Sequence, residues 1–337
     1  MKSYAQLEEA SLKAVIAAVS ANFLVTIAKF IGWTISFSPS MLAETIHSLA
    51  DVLNQFLLFI GIRHGSGRPT KTYPFGKGQA RYVWNLISAM GIFFVGFGVT
   101  TYHGISELVA PSHATHTINP FIPISILIFS FFVEGYSLYI AFKSITEARG
   151  DKTLFEYIRM GDDPTTVGVL LEDFIAVFGV LLALAGLALS HVFHSEVPDS
   201  IASILIGCLL GLMAITLAMA NGRILMGASA GVDIESELRE YVETYPTVER
   251  VTALRTAVLS PGRLRLSLEV EFHGGILIDR QQIERDAERI RDGEDPAYIL
   301  FETSERMVRL VGRSINLLEA DIHKNFPEVI IIDLEVN

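Results

Sequence analysis

Glu44, His47 and Asp51 lie inside the otherwise apolar run 41–62. On a helix, residues three and four apart share a face, so two carboxylates and an imidazole would line one stripe. An ionised group near a bilayer centre costs roughly 2.5–3.5 kcal/mol even on the gentler insertion scale, and such groups persist where they face a cavity, a partner or an ion. A second apolar run, 166–192, carries Glu172 and Asp173, and a third, 119–141, carries Glu134. Imidazole with carboxylate and no thiolate is a donor set for a divalent transition metal such as zinc, manganese, iron or cobalt. The plainer reading makes His47 and Asp51 a hydrogen-bonded pair that fixes helix packing. Glu134 fits a gate or proton site as well as a hydrogen bond to a neighbouring helix.

These residues need elements to hold them. A bilayer core of about 30 Å takes roughly 20 apolar residues as helix. Six stretches qualify, near 11–36, 41–62, 82–108, 119–141, 166–192 and 200–224. The segment between the second and third holds Arg63, Arg68, Lys71, Lys77 and Arg81, and that after the fourth holds Lys143, Arg149, Lys152 and Arg159. The alternate loops, 37–40, 110–117 and 190–199, contain no Lys or Arg. Positive charge marks the cytoplasmic side, so both termini are expected there.

The charge distribution divides the chain. Residues 1–230 hold 13 Lys and Arg against 15 Asp and Glu, whereas residues 231–337 hold 13 against 22. The expectation is a six-helix, all-α membrane domain over 1–226 and a small acidic α+β domain over 227–337. The acidic balance argues against nucleic acid as a partner. Cys208 is the only cysteine, which excludes an intrachain disulfide and a thiolate metal cluster. Acidic residues precede a long first apolar run, which reads as a retained span rather than a secretory signal. The lack of a transit-like leader points to a bacterial inner membrane. No H-E-x-x-H or G-x-S-x-G pattern supports a metal-dependent membrane enzyme.

In the acidic part, "DIESELREYVETY" has helical spacing, and "ERVTALRTAVLS" and "RLRLSLEVEF" alternate as paired strands around the turn "SPGR". Residues 280–291 and 304–326 read as helices separated by "DGEDP", and "VIIIDLEV" as a final strand of a three-stranded sheet. His273, His323, Asp333 and Glu335 are weak metal candidates there. His113, His116, His191 and His194 fall in expected outer loops, where they either receive exported metal or are simply solvated.

The segments "SMLAETIHSLADVLNQ", "YPFGKGQARY" and "LLEDFIAVFG" resemble the cation diffusion facilitator family, and "EGYSLYIA" with "LLED" resembles its zinc-transporter-nine branch. The resemblance covers nearly the whole chain. It implies a homodimeric divalent-cation/proton antiporter, with six spans and a ferredoxin-like, metallochaperone-like cytosolic domain. It also implies a membrane site of two His/Asp-x-x-x-Asp pairs, zinc being the foremost cargo. Carried over, the pairs give His47 and Asp51 on span two and Asp173 on span five. The remaining position falls on Val169, which cannot coordinate, so Glu172 is the substitute, with Glu44 or Glu134 as alternatives. The loss at Val169 leaves open a non-transporting metal sensor or scaffold. Where the family often carries His around "PFG", this chain has Tyr73 and Lys77. Asp199 is explained by capping of the span-six helix.

Overall fold

The computed structural model describes residues 22–67, 69–110, 121–148, 153, 164–278 and 280–337, with the side chains of 164–167 set aside. The chain separates into two compact units, Met1–Leu225 and Met226–Asn337.

The secondary structure of the described residues in the first unit is helical: α1 (Asn22–Ser36), α2 (Pro39–Gly65), α3 (Ala80–Val109), α4 (Phe121–Ala148), α5 (Pro164–Phe193) and α6 (Val197–Leu225). Helices α2 to α6 are each long and apolar enough to cross a membrane, five among the described residues, and this is a multi-pass membrane protein. Helix α1 is the described part of the first expected span; residues 11–21 of that expectation lie outside the described residues, as do His113 and His116 and most of the basic segment after α4.

Local chemistry sets the helix ends. Ser38 caps α2 by accepting from the Met41 backbone N–H at 3.1 Å, Pro39 supplies a preset φ at its first turn, and Arg63 and His64 sit in its last turn, where positive charge suits the helix dipole. The middle of α3, Ile92–Val99, widens into a π-helix. Helix α6 packs against α2, α3 and α5. The shared core includes Met41, Ile92, Leu127, Ile175, Val180, Ile206, Leu210 and Met213. Glycine allows the closest approaches. A Cβ on Gly207 would overlap Thr101, and one on Gly179 would meet Glu44 Oε1 at 2.5 Å. Small residues at contact points are how apolar helices come close without a hydrophobic drive between them.

The second unit runs α7 (Val232–Glu243), β1 (Val248–Ser260), β2 (Arg263–Phe272), a one-turn helix α8 (Gly274–Leu277), α9 (Arg280–Arg291), α10 (Pro296–Asn325) and β3 (Val329–Val336). The sheet order is β1-β2-β3, with β1 antiparallel and β3 parallel to β2. The hairpin turn uses Gly262 at φ +66, in the region glycine favours. Leu238, Val242, Leu266, Leu268, Val270, Leu318 and Ile322 bury the helices against the sheet. One boundary departs from expectation. Helix α10 begins at Pro296, not at residue 304, because Asp295 caps it by accepting from Ala297 N–H at 3.0 Å and Pro296 occupies its first turn.

Candidate metal site

The α2 stripe forms as its spacing requires. Glu44 and His47 are buried, and Asp51 is nearly so. His47 Nδ1 lies 3.9 Å from Glu44 Oε1, and its Nε2 lies 3.6 Å from Asp51 Oδ2, both beyond hydrogen-bond length. Glu44 Oε1, His47 Nε2 and Asp51 Oδ1 are buried without a hydrogen-bond partner among the described residues. Among the described residues, the three side chains thus sit close together on one face without hydrogen-bonding to one another.

Asp51, Glu134 and Asp173, from α2, α4 and α5, line one cavity of about 250 Å³ together with Ser48 and Ser137. Ser137 Oγ donates to Asp173 Oδ2 at 3.0 Å. Glu172 turns a different way, as 100° of helix rotation demands. Its carboxylate accepts two long hydrogen bonds from Asn54 Nδ2, at 3.3 and 3.4 Å. Asn54 stands three residues beyond Asp51 on α2, so Glu172 reaches α2 beside the stripe. Val169 is about half exposed. Among the described residues, no three His, Cys, Asp or Glu side chains converge closely enough to hold a metal ion.

One member of the constellation escaped the sequence reading. Lys29 on α1 is fully buried, and its Nζ stands 2.6 Å from both Glu44 Oε2 and Glu134 Oε1. The signal was present, since a lysine within an apolar span is as costly as a carboxylate there. Its partners, however, are 15 and 105 residues away.

The other expected residues are spread out. In the second unit His323 Nδ1 is 2.7 Å from the Val329 carbonyl, Asp333 accepts from Arg265 Nε at 2.6 Å, Glu335 pairs with Glu269 across the sheet, and His273 precedes α8. The rings of His191 and His194 sit 6.4 Å apart at the end of α5. Lys77 lies 4.5 Å over the Tyr73 ring, a cation–π contact. Asp199 does not simply cap its own helix. It is buried in the first turn of α6 and accepts from the hydroxyls of Ser38 (2.6 Å) and Ser40 at the start of α2.

The site thus sets carboxylates from three helices of a multi-pass bundle along one cavity. The pattern of the cation efflux transmembrane domain matches residues 15–226, and the chain belongs to the cation efflux, or cation diffusion facilitator, family. It is 31% identical over 334 residues to the mitochondrial proton-coupled zinc antiporter SLC30A9 of Mus musculus, covering 96% of this chain and 58% of that protein. It is 31% identical over 342 residues to metal tolerance protein C4 of Arabidopsis thaliana, covering 98% of this chain and 74% of that protein. An uncharacterized transporter of Methanocaldococcus jannaschii is 19% identical over 78% of this chain. The chain thus spans little more than half of the length of the zinc antiporters it matches. These relatives are named as transporters or metal tolerance proteins, not as enzymes.

Proposed function

We propose that the chain exports a divalent metal cation, foremost zinc, by proton-coupled alternating access, with His47, Asp51, Asp173 and Glu172 as the ligand set. One observation carries this reading. His47 Nε2 and Asp51 Oδ1 are buried and unpartnered within an apolar bundle, and Asp51 shares a cavity with Asp173 and Glu134. Each unsatisfied buried group costs about 1–3 kcal/mol, an expense that makes sense where a ligand is to be received. The names of the zinc antiporter relatives add cargo and coupling ion.

In this mechanism the ion enters from the cytoplasm and displaces protons from the imidazole and carboxylates. The bundle then rocks, α5 moving against α2, and protons compete the ion off on the far side. Imidazole suits the exchange because its ordinary pKa is about 6.5. Metal binding releases protons from its own ligands, so coupling needs no separate proton path. The working form is a homodimer in a bacterial inner membrane, with six spans, both termini cytoplasmic and a ferredoxin-like second domain.

A second reading, a non-transporting sensor or scaffold, draws on Val169, which offers no donor one turn before Asp173. Zinc flux in proteoliposomes under an imposed pH gradient decides. Zinc accumulation that collapses with the gradient is expected. Zinc binding with no flux would favour the sensor, and neither binding nor flux would overturn the metal reading.

A further inference from the structure

Lys29 has no part in the ligand set, yet it occupies the centre of the charged cluster. Among the described residues no other Lys or Arg is buried. Its ammonium contacts one oxygen each of Glu44 and Glu134, and the second oxygen of each carboxylate is buried without a hydrogen-bond partner among the described residues. The free Glu44 Oε1 is the one near His47, and Glu134 lines the cavity that Asp51 and Asp173 share. A cation is therefore already bound, by a covalent tether, next to where the cargo would sit.

We propose that Lys29 is a resident counter-cation that sets how tightly the site holds its divalent cargo. This inference rests on the metal-transport reading above. Two carboxylates against one ammonium leave the Lys29–Glu44–Glu134 cluster with one net negative charge. In the low dielectric of the bundle that charge acts on an ion in the neighbouring cavity with little screening. Without the ammonium, two carboxylates would face the ion, and it would bind more tightly and leave more slowly. An exporter must release its ion in every cycle, so a fixed positive charge behind the site favours turnover over affinity. Lys29 is a positioning residue in this sense: it acts on the cargo through Glu44 and Glu134 and does not touch the ion.

Charge arithmetic gives a test that packing alone does not. Glu44→Gln lowers the cluster from one negative charge to none, Lys29→Met raises it to two, and the double variant Lys29→Met/Glu44→Gln returns it to one. Glutamine keeps the length of glutamate, and methionine keeps an unbranched apolar chain one atom shorter than lysine. Removing one partner of a buried ion pair can cost several kcal/mol; Lys29→Met strands two carboxylates and the double variant only one, so the double variant is the one compared with Glu44→Gln, each first shown to elute as a folded species. Full-length protein in proteoliposomes is assayed for zinc flux, and in detergent for zinc binding by calorimetry. The half-saturating zinc concentration is expected to rise in the order Lys29→Met, double variant, Glu44→Gln. The step from double variant to Glu44→Gln should be about tenfold, equivalent to 1.4 kcal/mol. Lys29→Met, if folded, should also show reduced maximal flux. Equal affinity in Glu44→Gln and the double variant, with zinc binding by the unmodified protein intact, would overturn the role of Lys29 alone. Absence of zinc binding by the unmodified protein would overturn the transport reading and this inference with it.

Discussion

At the scale of single residues the decisive pair is Asp51 on α2 and Asp173 on α5, which line the same cavity. Asp51→Ala and Asp173→Ala are each expected to reduce zinc flux in proteoliposomes to the level of empty vesicles while the protein still elutes as a folded species. Wild-type flux from either variant would remove that residue from the ligand set. Asn54 holds Glu172 through long hydrogen bonds, so Glu172 can leave that partner at modest cost. If it is the fourth ligand, Glu172→Gln should weaken zinc binding at least tenfold in a titration at fixed pH, and Val169→Asp should recover part of the loss. Unchanged affinity in Glu172→Gln would make Asn54 its only purpose. The α2 stripe and the α5 pair were legible in the sequence because their anomaly is local, ionisable groups inside apolar runs. Lys29 obeyed the same rule, but its meaning lies in two partners far away in the chain, and nothing local announces them. The turning of Glu172 toward Asn54 was equally hidden, because hydrogen-bond partners across helices follow from packing and not from spacing.

At the scale of elements, the approach of α5 to α2 depends on Gly179, where any side chain would press on Glu44 Oε1. Gly179→Val should cost about 1–3 kcal/mol by overpacking and lower zinc flux more than it lowers abundance. A drop in melting temperature with flux intact would show that the two helices need not keep this distance. In the second unit, α9 and α10 meet at Asp286, whose buried carboxylate receives Arg306 Nη1 at 3.0 Å, Gln282 Nε2 at 3.0 Å and Thr303 Oγ1 at 3.1 Å. Burial works against its charge, but these donors prevail and hold the carboxyl below its ordinary value. A depressed carboxylate contributes stability that is complete above its unfolded pKa of about 3.9 and is lost as pH falls through the lower folded value. Hydrogen-exchange protection of α9 and α10 should therefore decline below about pH 4, and that decline should be shallower in Asp286→Asn. Identical acid profiles would dismiss the carboxylate as a clamp. The helices α7, α9 and α10 of this unit followed from periodicity, whereas the one-turn α8 is too short to show any. The start of α10 did not, because a turn-forming "DGEDP" also contains an Asp cap followed by Pro, which starts a helix.

For the whole molecule, assembly is the open physical question. Tyr298, Phe301 and Val308 are exposed on one face of α10, at spacings that keep them within a quarter turn of each other. Exposed apolar side chains in register on one face mark a surface that gains by being covered. Opposing this, residues 231–337 carry nine more Asp and Glu than Lys and Arg, so a second copy brings like charge against like. The balance makes a distinctive prediction for the homodimer. Because the repulsion is between solvated charges, it falls as ionic strength rises, with a screening length of about 10 Å at 0.1 M and about 3 Å at 1 M. The apolar attraction has no such dependence on screening. Light scattering on the full chain in detergent should thus report a dimer at micromolar concentration that tightens with added salt. Phe301→Asp, which replaces apolar contact with one more negative charge per copy, should shift the population toward monomer most strongly at low salt. A monomer at both ionic strengths would set aside the dimer. A dimer indifferent to Phe301→Asp would move its interface elsewhere, leaving the α10 face to another partner.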